Sequence, residues 1–255
     1  MLFKSGKLHT KRKAKQEKKQ LHLSTEEQLV TECTNEVKTV MDKTLDIFKL
    51  TIEGLKSENR KMMKTVLADT NSLYEKYKDK RMFEVVPTLE TIQINALDLE
   101  QEYVQLVDYS YEITKSLKAM VEAGYNYIDN NHTALSREQL DDLRLVYNTL
   151  AESYSLFAEM IDSNNYTNFQ ELIGLRQSMT ELNVKLTKKQ IKRAKDNSTT
   201  TRSSILFLNL INESKIIALQ SSNLMYSQRN FSEQYSKLAT ELTTAEIVKN
   251  TQLTL

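Results

Sequence analysis

The stretch SREQLDDLRLVYNTLAESYSLFAEMIDSNN, residues 136–165, decides the fold class. Ser136 and Gln139 stand at the spacing where a serine oxygen and a glutamine side chain each satisfy a free backbone amide at a helix start. Leu140, Leu143, Tyr147, Leu150, Tyr154, Phe157 and Ile161 then alternate steps of three and four, which places them on one side of a helix. Asp162-Ser163-Asn164-Asn165 ends the pattern, because short polar side chains compete for backbone hydrogen bonds. The stretch predicts one amphipathic helix with a defined start and stop.

The same signals recur on both sides of it. Ser24-Thr25-Glu26-Glu27 reads as a capping box, followed by a stripe of Leu29, Cys33, Val37, Val40, Leu45, Phe48, Ile52 and Leu55. Gly54 and Ser57-Glu58-Asn59 mark the end of that first helix. A second helix starts near residue 59, carries Met62, Met63, Val66, Leu73 and Tyr77, and is limited by Pro87. A third begins soon after Pro87 and keeps Val104, Val107, Tyr111, Thr114, Leu117, Val121, Tyr125 and Ile128 on one face until Asp129-Asn130-Asn131-His132. Beyond the opening stretch, Thr167-Asn168-Phe169-Gln170 is a third box, and Leu172, Leu175, Met179, Leu182 and Leu186 line the next helix. Asn197-Ser198-Thr199-Thr200-Thr201 interrupts it, and Ile205, Leu208, Ile211, Ile216, Leu219 and Leu224 continue in the last one.

Each half therefore reads as helix, short polar turn, helix, joint, long helix. The expected architecture is all-α, two antiparallel three-helix units over residues 24–129 and 130–231. A basic tail (1–23) precedes them, and an extension (232–255) adds a terminal helix through Tyr235, Leu238 and Leu242. A single continuous long bundle is the alternative packing.

Composition agrees. Four glycines and one proline in 255 residues leave few sites for hairpins or a glycine-rich phosphate loop. Hydrophobic residues make up 40% of the chain, and its apolar runs fall far short of the roughly 20 residues of a spanning helix. The single cysteine, Cys33, forms no internal disulfide and suits a reducing compartment, and no stretch reads as a signal peptide. Residues 1–20 hold eight lysines and arginines against one glutamate, a surplus of +7, so a chain of net charge +1 carries −6 elsewhere. That tail suits anionic lipid, nucleic acid or plain solvation.

Ordinary catalysis is not expected. His9, His22 and His132 show no ligand spacing and no HExxH is present. Cys33 lies on an apolar stripe, where a thiol is inert. Asp108 and Glu112, four apart, share a helix face; with Glu36 or Asp46 from a neighbour they form an oxygen donor set for a divalent or ferric ion, or they pair with Lys115 or Lys118. Tyr103, Tyr111, Tyr147 and Tyr154 are spaced as packing residues.

One run stands apart. Lys185, Lys188, Lys189, Lys192, Arg193 and Lys195 crowd a helix end with no acidic residue among them. There they complement the negative end of the helix dipole, or they contact phosphate, lipid headgroups or an acidic partner. Nucleic acid is not expected, since the rest of the chain is acidic and carries no recognition motif.

Several separated motifs, in one order, carry a resemblance. They are Val107-Asp108-Tyr109-Ser110-Tyr111-Glu112-Ile113, Ile128-Asp129-Asn130-Asn131-His132, Lys188-Lys189-Gln190-Ile191-Lys192-Arg193, Thr201-Arg202-Ser203-Ser204-Ile205-Leu206-Phe207-Leu208-Asn209, and Asn223-Leu224 with Gln228-Arg229-Asn230-Phe231. Over residues 29–231 the chain resembles the cytosolic, PhoU-like helical region attached to bacterial inorganic phosphate transporters of the PiT or PHO4 class. The resemblance implies a regulatory accessory domain that makes and breaks no bond. Its implied partners are a phosphate permease or its membrane domain, an anionic membrane surface and a second copy of the chain, at the cytoplasmic face of the bacterial membrane. It also implies metal-binding motifs of the form Glu/Asp-x-x-x-Asp, which fall on Asp108 and Glu112 in the first unit. In the second unit they fall on Asn209 and Glu213, with an amide in place of one carboxylate. Lys188, Lys189, Lys192, Arg193 and Arg202 are the expected partner or anion contacts. A soluble helical scaffold unconnected with phosphate is the alternative function.

Overall fold

The computed structural model describes the backbone of residues 3–92 and 97–251, and the side chains of 27–92 and 97–241. Seven α-helices make it up: α1 (Phe3–Ser57), α2 (Arg60–Asp79), α3 (Val85–Thr91), α4 (Leu97–Asp129), α5 (Arg137–Ser163), α6 (Phe169–Lys195) and α7 (Thr201–Thr251). No strand occurs among the described residues, so the expected all-α class holds.

Helix ends follow local chemistry. Ser136 caps α5 as expected, its hydroxyl accepting from the Gln139 amide (3.2 Å) while the Gln139 side chain accepts from the Ser136 amide (3.0 Å). Asn59 caps α2 by accepting from the Met62 amide at 2.9 Å. The stops at Glu58, Asn131, Asn164 and Asn197 all adopt positive φ, between 47° and 54°, which asparagine tolerates better than most residues.

Four expectations need correction. The box at Ser24–Glu27 starts no helix, since α1 runs unbroken from Phe3. Asn168 precedes α6 without a side-chain cap, so the box at Thr167–Gln170 does not form. The segment around Pro87 is helical: α2 passes through a π-helical turn (Lys80–Glu84) into α3, and α4 starts only at Leu97. Proline stands just after the π-helical turn, where the regular i→i−4 hydrogen-bond ladder is already interrupted and a missing amide costs least. Finally, residues 232–251 prolong α7 and form no separate helix. The basic side chains of residues 1–23, with His9 and His22, lie outside the described residues, as do Leu242 and the side chains after it.

α1, α2 and α4 form one antiparallel three-helix unit and α5, α6 and α7 the second. The two are joined along α4 and α7, which run antiparallel, as hydrogen bonds from Ser227 to Gln105 (2.8 Å) and from Asn230 to Glu102 (2.9 Å) show. α1 also meets α5, where Phe48 and Tyr147 pack edge to face with centroids 6.0 Å apart. One apolar core runs through both units, with Val40, Met63, Ile113, Leu117, Phe157, Phe207 and Phe231 fully buried. In the first unit, a Cβ on Gly54 would stand 2.4 Å from Met63 Sδ, and one on Gly124 3.1 Å from Met63 Cε. Two of the chain's four glycines thus make room for one methionine between α1, α2 and α4. Buried hydroxyls of Thr44, Thr51, Thr70, Ser110 and Ser214 return to the carbonyl four residues back, so they need no other partner.

Candidate functional site

The basic run at the end of α6 lies where α5, α6 and the start of α7 meet, and the structure divides it in two. One side of α6 buries Phe169, Leu172, Met179, Asn183, Leu186, Gln190 and Arg193 against α5 and α7. Arg193, with a side chain only 7% exposed, therefore points inward. Its Nη2 donates to Asp142 Oδ2 at 2.5 Å, Nε to Glu138 Oε2 at 3.2 Å and Nη1 to Gln190 Oε1 at 3.3 Å. Lys189 Nζ takes the other oxygen of Asp142 at 2.9 Å. The guanidinium also sits 5.7 Å from the centre of the Phe207 ring.

A buried polar network continues from there. Gln190 Nε2 donates to Thr199 Oγ1 (3.1 Å) and Ser204 Oγ (3.0 Å), while Gln190 Oε1 accepts from Gln139 Nε2 (3.1 Å). Gln139 is the capping-box partner of Ser136 at the start of α5, and its side-chain Nε2 also donates to the Ser203 carbonyl at 3.4 Å. Ser198 Oγ donates to the Arg193 carbonyl (3.0 Å), and Thr200 accepts from the Ser203 amide (3.1 Å). The start of α5, the end of α6 and the start of α7 are locked together, with polar atoms meeting polar atoms throughout.

Among the expected contact residues, Arg193 and Lys189 are thus committed to Asp142. Arg202 is exposed and bonds His132 Nε2 at 2.8 Å, linking α7 to the turn after α4; the His132 ring packs edge-on against Tyr127 at 5.0 Å. Lys188 and Lys192 lie on the outer side of α6, exposed. Asp142 and Gln190 were not singled out as site residues from sequence, and Gln139 was read only as part of a helix cap. A signal existed: Glu138 and Asp142 stand four apart on α5, as Lys189 and Arg193 do on α6, which is the spacing for matched acidic and basic helix faces.

The acidic pair on α4 has a different setting. Asp108 Oδ1 lies 2.7 Å from Arg81 Nε; Glu112 lies 3.1 Å from Lys115 Nζ and 3.8 Å from Arg81 Nη1. Arg81 comes from the π-helical turn and also stacks over Tyr111, 4.7 Å from the ring centre. Lys118 leaves the carboxylates and sits over Tyr74 at 4.5 Å. Neither neighbour joins the pair. Glu36 is held by Lys76 (3.0 Å) and Tyr77 (2.9 Å), and Asp46 is on an exposed face of α1. Glu213 belongs to α7, half-exposed beside Asn212; the α4–α7 register sets it about two turns, roughly 10 Å, from the level of Glu112. No group of three His, Cys, Asp or Glu able to hold a metal occurs among the described residues. The donors around Asp108 and Glu112 are cations, and this set does not fit a metal ion.

Titration behaviour follows burial. Burial pushes the Glu36 carboxyl up, but the hydrogen bonds from Lys76 and Tyr77, with the charges of Lys80 and Lys76, together outweigh it and hold it below the usual value. Burial drives the Cys33 thiol up to about 12, so it stays protonated, consistent with a packing role. Tyr154 and Tyr77 are raised for the same first reason, and Tyr154 hydrogen-bonds Ser221 across the core at 2.5 Å. No helix among the described residues is long and apolar enough to cross a membrane.

The fold has a solved counterpart. The chain is similar to the phosphate transport system regulatory protein PhoU from Streptococcus pneumoniae, with a TM-score of 0.62 and 13% sequence identity, over 81% of this chain and 96% of that one. No family model and no curated protein matches the chain. At this identity the likeness shows the fold, which is that of PhoU: all-α, with paired three-helix units.

Proposed function

We propose that the chain is a PhoU-like regulatory domain of an inorganic phosphate transport system, of the kind attached to or acting beside PiT or PHO4 permeases. It works at the cytoplasmic face of the bacterial membrane, through contacts with the permease or its membrane domain, and catalyses no reaction. The observation that carries this reading is that both three-helix units, not one, match a protein described as regulating phosphate transport, over almost all of that protein's length. The order of the sequence motifs between residues 107 and 231 supports it independently. The rigid network at the α5–α6–α7 junction suits a domain that transmits contact rather than one that turns over substrate.

Uptake of radiolabelled phosphate tests it. Cells in which the chain is deleted, or made in excess, are expected to change uptake several-fold and to lose its adjustment to external phosphate. Uptake and adjustment identical to the parent cells would overturn the reading.

A further inference from the structure

The outer side of α6 remains after the inner one has been assigned. Among the described residues α6 packs on α5 and α7 alone, which leaves its far side open along its length. On that side Ile173, Val184 and Ile191 are 47%, 49% and 47% exposed. Steps of eleven and seven residues bring all three to nearly the same angle around the helix, in a ridge spanning roughly 27 Å. Lys185, Lys188, Lys192 and Lys195 form a row along one flank, every one exposed. Val184, Lys185 and Lys188, with Thr180 and Glu181, line an open hollow there.

These lysines differ from their neighbours in sequence. Lys189 and Arg193 are neutralised by Asp142 and Glu138, whereas Lys185, Lys188, Lys192 and Lys195 have no ion pair among the described residues. The only carboxylate on the ridge, Glu181, accepts from Gln177 at 3.0 Å. Four lysines against the single carboxylate of Glu181, beside a line of half-exposed aliphatic side chains, form an interfacial helix face: apolar groups reach the acyl boundary while cations meet the headgroups.

We infer that this face of α6 docks on an anionic phospholipid bilayer. A protein partner fits it less well. Three separated aliphatic side chains, with Gln177 and Thr180 between them, do not supply the well-packed core of a standard interface, which buries about 800 Å² per partner. A nucleic acid would call for arginine forks or stacked aromatic rings, and this row has neither. A bilayer needs no contiguous core, because each lysine near its surface adds its own attraction. Lipid docking through α6 does not depend on which transport system the domain serves, so it stands or falls apart from phosphate regulation.

Vesicle flotation of the full chain tests it, with phosphatidylglycerol–phosphatidylcholine vesicles against phosphatidylcholine alone. The wild type is expected to float with the anionic vesicles only, less so as salt rises. The variant Lys185→Gln/Lys188→Gln/Lys192→Gln/Lys195→Gln is expected to partition up to roughly a thousandfold more weakly. A second variant, with the eight basic residues of positions 1–20 changed to glutamine, keeps an α6-dependent share of binding. The chain has no tryptophan, so Ile191→Trp adds a reporter independent of these substitutions. Its fluorescence is expected to shift blue and to be quenched by brominated lipid, while Leu50→Trp on α1 is not. Equal binding to both vesicle types, unchanged binding of the α6 lysine variant, or an unquenched Ile191→Trp would each overturn the proposal.

Discussion

The two three-helix units share a plan and treat their charges in opposite ways. In the first, the Arg81–Asp108 pair sits at the surface with side chains 43% and 42% exposed. In the second, the Arg193–Asp142 pair is sealed at 7% and 9%. An exposed pair gains little, since water already solvates both ions. A buried pair loses that solvation, so each ion depends on the other and on every hydrogen bond around it. The first unit can therefore exchange its surface charges cheaply, and the second is keyed at one end.

The largest expected effect breaks that key. Arg193→Ala leaves Asp142 buried with only Lys189 opposite it, and is expected to cost about 3–5 kcal/mol in urea denaturation. Arg81→Ala is expected to cost less than about 1 kcal/mol. Equal losses would erase the contrast between the units.

A smaller effect sharpens it at the helix starts. Ser136→Ala and Asn59→Ala each delete one cap, a loss of about 1 kcal/mol. Ser136 is expected to cost more, because its partner Gln139 is fully buried and anchors Gln190 and the Ser203 carbonyl, whereas Asn59 caps at the surface. Thermal unfolding of both variants decides the order, and a larger loss for Asn59→Ala would contradict it.

The smallest effect is a pH dependence in the first unit. Because the folded Glu36 carboxyl is held below its unfolded value, its contribution is complete above the unfolded value of roughly 4.3 and is lost as pH falls through the folded one. Glu36→Gln is therefore expected to narrow the wild type's advantage in Tm between about pH 6 and pH 3. A difference independent of pH would show that the carboxylate carries no such coupling.

Much of the fold was legible along the chain. The stripe from Leu140 to Ile161 and the box at Ser136 appear as read, because they rest on neighbours within one helical turn. The box at Ser24–Glu27 failed for the same local reason: serine, threonine and glutamate fit a helix interior as well as a start, and nothing upstream breaks α1. Pro87 misled in the other direction, since its position within the first turn of α3 depends on a π-helical turn that has no local signature.

The candidate site was half legible. The density of lysines at the end of α6 was plain, but which of them faced inward was not. Lys188 and Lys189 are adjacent and chemically identical and both reach solvent, yet a helix turns about 100° between them, so only Lys189 comes within reach of Asp142. Likewise the carboxylates of Asp108 and Glu112 read as a donor pair, and the structure supplied Arg81 as their counter-ion from a turn 27 residues away.

By itself, then, the sequence determined the helices, their polar breaks, the paired plan and the presence of a basic cluster, because each is written in spacings of three and four residues. Only the tertiary structure decided the fate of the charges. Whether a lysine or carboxylate is a ligand, a lock or a free surface group depends on what the neighbouring helix presents to it, and on how much water remains between them.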